Sequence, residues 1–394
     1  MKVFAEHVSG TVQAPPSKSA LHRRLILNRL AGRTDVPDEP CTDVRTTADC
    51  LARLGTNTVL DCGDCGATLR FLLPVSLLYG GATFWGTAAL ASRPLQPLLA
   101  VLRAHGAAID GDVLPLSVRG SLSGGQYAMD GGISSQFFSG LLLTLPFLSG
   151  DSTLLWTSPL ASEGYVRLTE RILTEHGVTV ERIENGYRIP GGQHAQISDA
   201  PVEGDWSSAA AMLVLGAISG SVTVTGLDQS SVQPDRQVLD VLRQCGAQVE
   251  TTGDAVTVRH GALRGFKFDG SGAPDLVPVL AALGCASEGD SVLYRLNRLR
   301  YKESDRFDAL LTLLGSLGAD IETERSDTIV IHGSGCVRGG SALVPPDHRM
   351  VMAAALIGAC AASPVDVPHA DSVRKSYPAF FREFLRLGGM IDAI

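Results

Sequence analysis

The sequence contains no apolar run long enough to cross a bilayer. The longest, FFSGLLLTLPFL from Phe137, is short and interrupted by Ser139, Gly140 and Pro146, whereas a spanning helix needs roughly 20 apolar residues. The opening MKVFAEHVSG has no charged segment followed by an apolar core, so no secretory leader is expected and the chain reads as cytoplasmic. Positive charge is not in surplus. Lys+Arg number 33 against 41 Asp+Glu, a formal charge of −8, which argues against general nucleic-acid binding and makes any anion site a local basic cluster. Cysteine is thin on the ground, with eight residues scattered over 394, so reduced core thiols are expected rather than a disulfide framework. Cys62 and Cys65 do make a C-x-x-C pair, the spacing of redox and zinc sites. No second C-x-x-C or H-x-x-x-H accompanies it, and Asp64 between the thiols works against a low thiol pKa, so no metal or redox role is expected there.

What is present is a large apolar inventory, 45% hydrophobic against 19% charged, enough to bury the cores of two or three domains. One phrase recurs six times: CLARLGTNTV, AVLRAHGAAI, RILTEHGVTV, DVLRQCGAQV, TLLGSLGADI and EFLRLGGMI. Each reads as an amphipathic helix ended by a left-handed glycine and followed by a strand. The marker glycines, Gly55, Gly106, Gly177, Gly246, Gly318 and Gly388, recur at roughly 70-residue intervals with one shorter interval. Six such α/β units imply two pseudo-symmetric halves of three units. Between them lie very apolar helices such as SSAAAMLVLGAI from Ser207, which have no polar face and are expected to be buried. The polar stretch GGQHAQISDAPVEGD, ahead of that helix, marks a boundary near Pro201 to Asp205, and a cleft between halves is where a substrate site is expected.

Polar and charged groups sit at the mouths of these apolar helices. APPSKSALHRR places Lys18 and Arg23 around Ser17 and Ser19 at a helix start. It ends like a phosphate-binding G-K-[ST] loop but lacks the glycines, which excludes nucleotide binding of that kind. GGISSQFFSGLLL brings Ser134, Ser135 and Gln136 to a helix edge, where plain capping is the simpler explanation. SEGYVRLTE, with Ser162 and Tyr165, looks like a capping box. In LRYKESDRFDAL, Lys302 and Arg306 are four apart and are expected on one helix face, with Glu303 and Asp305 interleaved. PPDHRMVMAAAL puts Asp347, His348 and Arg349 against a buried helix, and charge in such a setting needs a partner or a ligand. Asp275 stands at the mouth of the helix in GAPDLVPVLAAL, and Lys375 lies in SVRKSYPAFF. Arg70 follows the small-residue loop around Gly66, and Arg93 lies in SRPLQPLLAVL. Lys18, Arg23, Arg70, Arg93, Lys302, Arg306, Arg349 and Lys375 are thus eight cations in an acidic protein, a pattern that suits small substrates bearing phosphate and carboxylate. Asp275 and Glu303 among them are the acid/base candidates.

The ordered set SKSxxxR, GxxLR, SRPL, SSQ, SxxY, GDxSSA, PD, KESDR, DHRMxMA and KSYPxF runs over nearly the whole chain and resembles the 5-enolpyruvylshikimate-3-phosphate synthase family. The resemblance implies an α/β fold of two pseudo-symmetric domains, each of three βαβαββ units in an inside-out α/β barrel, with the active site in the interdomain cleft. It suggests residues 17–203 as one domain and 1–16 with 204–394 as the other. The implied reaction moves the enolpyruvyl group of phosphoenolpyruvate to the 5-hydroxyl of shikimate 3-phosphate through a tetrahedral intermediate, on the shikimate route to aromatic amino acids, with no metal or organic cofactor. It further implies a monomer acting on small molecules, with no nucleic-acid or membrane partner. Carried over residue by residue, Lys18, Ser19, Arg23, Ser134, Ser135, Gln136, Ser162, Tyr165, Asp275 and Lys302 are shikimate 3-phosphate contacts. Lys18, Gly66, Arg70, Arg93, Gln136, Arg306, Arg349 and Lys375 are phosphoenolpyruvate contacts. Asp275, Glu303 and Lys18 take the catalytic roles. Departures from the family pattern fall at Leu21, His22, Asp64, Ala67 and Arg298. The sister transferase acting on UDP-N-acetylglucosamine would call for a reactive Cys loop and a Lys-Asn start, whereas this chain has SKS and SRPL. A silent scaffold would gain no stability from unpaired charges such as Lys18, Asp275, Glu303, Arg349 and Lys375.

Overall fold

The computed structural model describes residues 1–35, 41–56 and 59–392. The chain divides into two compact units: an inserted unit, Lys18–Val202, and a split unit made of Met1–Ser17 and Glu203–Ile394. No helix of the described residues is long and apolar enough to cross a membrane.

One βαβαββ module is repeated. In the inserted unit it runs strand Val59–Asp61, helix Gly66–Ser76, strand Gly81–Trp85, helix Gln96–Ala104, then strands Ala107–Asp110 and Leu116–Gly120. The first two strands pair in parallel, and the last strand slots between the second and third, antiparallel to both. The next module repeats this with strands Gly125–Met129, Ser152–Trp156, Glu181–Ile183 and Gly186–Ile189 and helices Ser135–Leu142 and Glu163–Glu175. The rest of this unit contributes helices Lys18–Leu30 and Thr42–Arg53, the first of which packs on Glu163–Glu175. Asn57 and Thr58, in the first copy of the recurring phrase, lie outside the described residues.

The split unit holds three modules. Strand Val8–Gln13 pairs in parallel with Gly220–Thr225, so the first module is completed only after the whole inserted unit has been traversed. The second runs from strand Lys267–Asp269 to strand Thr328–Ser334. The third is permuted: its last strand, between Val365–Asp366 and Met390–Asp392, is Lys2–Phe4 from the other end of the chain. The five sheets of the described residues all have four strands in the same order.

Two features expected from the sequence account for this regularity. All six marker glycines have positive φ, between 73° and 105°, a region open to glycine at little cost, and each follows directly on the end of a helix. The apolar helices Trp206–Ser219, Val277–Cys285 and His348–Ile357 pack on one another inside the split unit, with its sheets outside. Val277–Cys285 and His348–Ile357 are buried along their entire length. With no solvent-facing side, such a helix can present polar groups only at its end.

Candidate active site

In the split unit the charged groups gather where these helices begin. Asp275 lies in the short turn Pro274–Leu276 that leads into Val277–Cys285. Asp347 caps His348–Ile357, accepting the Arg349 N–H at 2.9 Å. Asp305 caps Arg306–Ser316, accepting the Asp308 N–H at 3.2 Å. That cap starts the helix at Arg306, so Lys302 lies in the preceding turn and the two cations do not share a helix face as their spacing predicts. They meet at Asp275 instead.

Arg306 is the centre of the cluster, with its side chain 1% exposed. Its Nη1 donates to Asp275 Oδ1 at 2.8 Å, its Nη2 to Glu303 Oε2 at 2.7 Å, and its Nε to Asp347 Oδ2 at 2.8 Å. Lys302 Nζ donates to the same Asp275 oxygen at 3.0 Å, and the Ser304 hydroxyl to Asp347 Oδ2 at 3.0 Å. Burial works against the Asp275 charge, but Lys302, Arg306 and Arg349 outweigh it and hold the carboxyl well below its usual range. Burial also works against the Arg306 charge, and Asp347, Glu303 and Asp275 override it, pushing the pKa up. For Lys302 burial prevails over the pull of Asp275, with Arg298 and Arg306 adding to the downward shift. Arg349 is buried and donates to the Ser207 carbonyl at 3.1 Å, at the start of Trp206–Ser219. Lys375 closes the short helix Ala370–Lys375, which packs on His348–Ile357. Arg298, a departure from the family pattern, reaches the Ser271 carbonyl at 3.5 Å.

In the inserted unit a second arginine is as deeply buried but differently held. Arg23 is 2% exposed. It donates to the Thr169 hydroxyl at 2.6 Å, the Ser19 carbonyl at 2.6 Å, and the Ser139 hydroxyl and Tyr165 carbonyl at 3.0 Å each. The Phe71 ring lies 4.9 Å from its guanidinium carbon. None of these acceptors is a carboxylate, and burial pushes the guanidinium down to about 9. Lys18 begins the helix Lys18–Leu30 and pairs with Asp43 at 2.8 Å. Ser134 caps Ser135–Leu142 through the Gln136 N–H at 3.3 Å, and Ser135 is buried beside it.

Gln136 Oε1 accepts from Arg70 Nη1 at 2.7 Å, and Arg70 Nη2 also donates to the Pro94 carbonyl at 3.1 Å. A Cβ on Gly66 would lie 2.7 Å from Arg93 Nη1 and 3.0 Å from Arg70 Nη1, so this glycine is what lets both guanidiniums close on the loop. Ser162 corrects the capping-box expectation. It precedes Glu163–Glu175 in the left-handed region, φ 51°, and its buried side chain makes no capping bond to the helix end. Tyr165 contributes its carbonyl to Arg23.

The two cysteines of the C-x-x-C are buried and free. Cys62 is pushed well up by its contact with Cys50 and by burial, and burial pushes Cys65 up to about 12. Neither is a thiolate at neutral pH. Cys65 instead caps Gly66–Ser76, its sulfur accepting the Thr68 N–H at 3.5 Å. At the departure positions, Asp64 accepts the Thr87 hydroxyl at 3.1 Å, and His22 is buried with Nδ1 2.7 Å from the Thr47 hydroxyl. Asp347 and Asp43 are the site residues that sequence reasoning left without a role. Asp347 had a signal, a charge against a helix with no polar face. Asp43 had none, because only the fold brings it to Lys18.

The EPSP synthase (3-phosphoshikimate 1-carboxyvinyltransferase) family model matches residues 56–384. A protein of Methanocorpusculum labreanum named 3-phosphoshikimate 1-carboxyvinyltransferase is 37% identical, with 98% of each chain covered. One of the same name from Methanothrix thermoacetophila is 38% identical over 100% of this chain and 99% of its own. Among solved structures, EPSP synthase from Acinetobacter baumannii superposes with a TM-score of 0.80 at 24% identity, covering 100% of this chain and 99% of that one. The enolpyruvyl transferase NikO from Streptomyces tendae gives 0.74 at 17% identity, covering 99% and 98%. These two support the fold, and the full-length relatives with the family model settle membership: the chain belongs to the EPSP synthase (3-phosphoshikimate 1-carboxyvinyltransferase) family.

Proposed function

We propose that this chain transfers the enolpyruvyl group of phosphoenolpyruvate to the 5-hydroxyl of shikimate 3-phosphate, releasing phosphate, with the roles that follow. The observation that carries the reading is Arg306, one buried guanidinium that grips both acid/base candidates, Asp275 at 2.8 Å and Glu303 at 2.7 Å. Asp275, held ionised at neutral pH, accepts the 5-hydroxyl proton, while Glu303, once loosened from Arg306 and protonated from solvent, delivers that proton to the enol methylene and makes C2 electrophilic. The new C–O bond at C2 gives a tetrahedral ketal phosphate. Loss of a methyl proton and of phosphate then restores the enol double bond.

The cations that keep Asp275 ionised also make it a weak base. Phosphoenolpyruvate relieves this when its anionic groups engage Arg306 and Arg349, drawing positive field away from Asp275 and loosening Glu303 from Arg306. Lys375, Arg70, Arg93 and Gln136, with the open backbone at Gly66, complete the phosphoenolpyruvate contacts. Arg23, Ser19, Ser134, Ser135, Ser162, Tyr165 and Lys302 hold shikimate 3-phosphate, whose phosphate supplies the negative charge that Arg23 does not receive from any carboxylate. Lys18 touches both substrates and offsets charge as phosphate leaves. Residues 17–203 and 1–16 with 204–394 serve as the two enolpyruvyl transferase domains. We further read the chain as a cytoplasmic monomer that needs no cofactor and has no nucleic-acid or membrane partner.

Phosphate release from phosphoenolpyruvate tests this. It is expected only when shikimate 3-phosphate is present and to be unchanged by EDTA; no release with both substrates sinks the reading. In the same assay Asp275→Asn is expected to lower turnover by about 10²–10⁴-fold with the fold intact, and unaltered turnover removes Asp275 from the mechanism.

A further inference from the structure

The C-x-x-C pair has no metal partners nearby in sequence, but the fold supplies some for one of its two cysteines. A ring nitrogen of His22, a carboxylate oxygen of Asp43 and Cys65 Sγ all lie within 4.8 Å of one another, and all three residues are buried. Cys62 is not part of this group. The three come from different elements: His22 from the middle of Lys18–Leu30, Asp43 from the first turn of Thr42–Arg53, and Cys65 from the cap of Gly66–Ser76. His22 is 1% exposed, and its Nε2 has no hydrogen-bond partner. Its Nδ1 is 2.7 Å from the Thr47 hydroxyl, which in turn lies 2.6 Å from that of Thr68. With Nδ1–H donating to the Thr47 hydroxyl, the Nε2 lone pair is left for a ligand, the arrangement usual around metal-bound histidine.

We propose that His22, Asp43 and Cys65 form an inhibitory site for a thiophilic divalent cation of the Zn²⁺ type, whose binding takes Asp43 away from Lys18. One nitrogen, one oxygen and one sulfur donor suit Zn²⁺, which would keep its fourth position for water, whereas Mg²⁺ prefers oxygen ligands. The donors need to draw in by about 1 Å to reach Zn–S and Zn–N bond lengths of roughly 2.0–2.3 Å.

The exchange balances. Zn²⁺ binds as the Cys65 thiol loses one proton to solvent, forming the Zn–S bond, and no electrons are transferred. The Asp43 carboxylate trades the Lys18 ammonium, 2.8 Å away, for the metal. His22 is ready for this role because burial, with Lys18 and Arg23 adding to it, keeps the imidazole neutral. The thiol, which burial holds protonated, gives up its proton only to a metal, so the resting protein is insensitive to chelators. Lys18 is one of the groups assigned to the reaction above, so loading the site displaces it and slows turnover.

The test is titration of the full chain with Zn²⁺ alone, followed by calorimetry, with Co²⁺ as a spectroscopic probe of thiolate ligation. One Zn²⁺ per chain, one proton released and a thiolate-to-cobalt absorption band are expected. Phosphate release should fall in proportion to the fraction loaded and return with EDTA, and Mg²⁺ should do neither. Cys65→Ser, which keeps a capping oxygen, and His22→Gln should each weaken Zn²⁺ binding by at least about 100-fold while leaving the unloaded rate in place. Cys336→Ser, at an exposed thiol, should change nothing. Binding that survives both site variants, or a cobalt band lost with Cys336, overturns the site; binding without inhibition overturns the displacement of Lys18. The binding arm stands independently of the proposed reaction, and only the inhibition arm rests on it.

Discussion

Arg306 and Arg23 are buried to nearly the same degree and are chemically opposite. Arg306 is surrounded by Asp275, Glu303 and Asp347. Arg23 is surrounded by hydroxyls, carbonyls and a ring face. Removing a guanidinium from water is expensive unless anions replace the solvent. At Arg306 the protein supplies those anions, and the charge is stabilised whether or not a substrate is bound. At Arg23 neutral dipoles only partly compensate, and the guanidinium is driven down to about 9. On the proposed reading, one site holds its charge for catalysis, and the other leaves the charge to be completed by a ligand. Burial alone would have ranked the two arginines as equals; only their partners separate them.

The sharpest way to break this contrast is to neutralise each arginine in the absence of substrates. Arg306→Gln leaves Asp275, Glu303 and Asp347 without the guanidinium they share, and of the three Lys302 pairs with Asp275. It is expected to lower unfolding stability by about 3–5 kcal/mol in denaturant titration; a loss under about 1 kcal/mol would mean that those carboxylates find other partners. Arg23→Gln removes a charge that the protein does not neutralise, so the ligand-free stability should change little. What should disappear is stabilisation by shikimate 3-phosphate, worth about 2.7 kcal/mol at a hundredfold excess over Kd. A variant still stabilised by that ligand would remove Arg23 from the phosphate site.

The smallest expected effect concerns His22. Burial, then Lys18 and Arg23, lower its pKa well below 6.5. The unfolded chain therefore takes up a proton near pH 6.5 that the folded chain refuses, and stability is full above that pH and is lost as pH falls through it. His22→Gln should flatten stability between about pH 7 and pH 5, as read from thermal midpoints. An unchanged slope would show that another group controls this window.

Much of the fold could be read from the chain because its repeated signals are local. A glycine that ends a helix and a helix without a polar face each act within a few residues, and six copies expose the period. The positions of Asp275, Ser134 and Arg349 at helix mouths follow from the same logic, since an all-apolar helix leaves only its end for polar groups. What could not be read depends on pairing between distant segments. Asp347 looked like one charge among three, and its bonds to Arg306 come from two helices meeting. Lys302 and Arg306 have the spacing of helix neighbours, but Asp305 takes the capping position and starts the helix after Lys302. Ser162 has the sequence of a cap and the backbone of a strained turn. The meeting of His22, Asp43 and Cys65 has no sequence spacing at all.

Strand Lys2–Phe4 lies between Val365–Asp366 and Met390–Asp392, and strand Val8–Gln13 waits for Gly220–Thr225. On a ribosome this fixes an order of events. The inserted unit, contiguous from Lys18 to Val202, can fold while the split unit still lacks most of its sheet partners. Strand Lys2–Phe4 stays without its sheet partners until Val365–Asp366 and Met390–Asp392 have been made. Contacts this distant in sequence close slowly, so a strand made ahead of the inserted unit is sheltered only long after it, and in a newborn chain it is an edge open to a wrong partner.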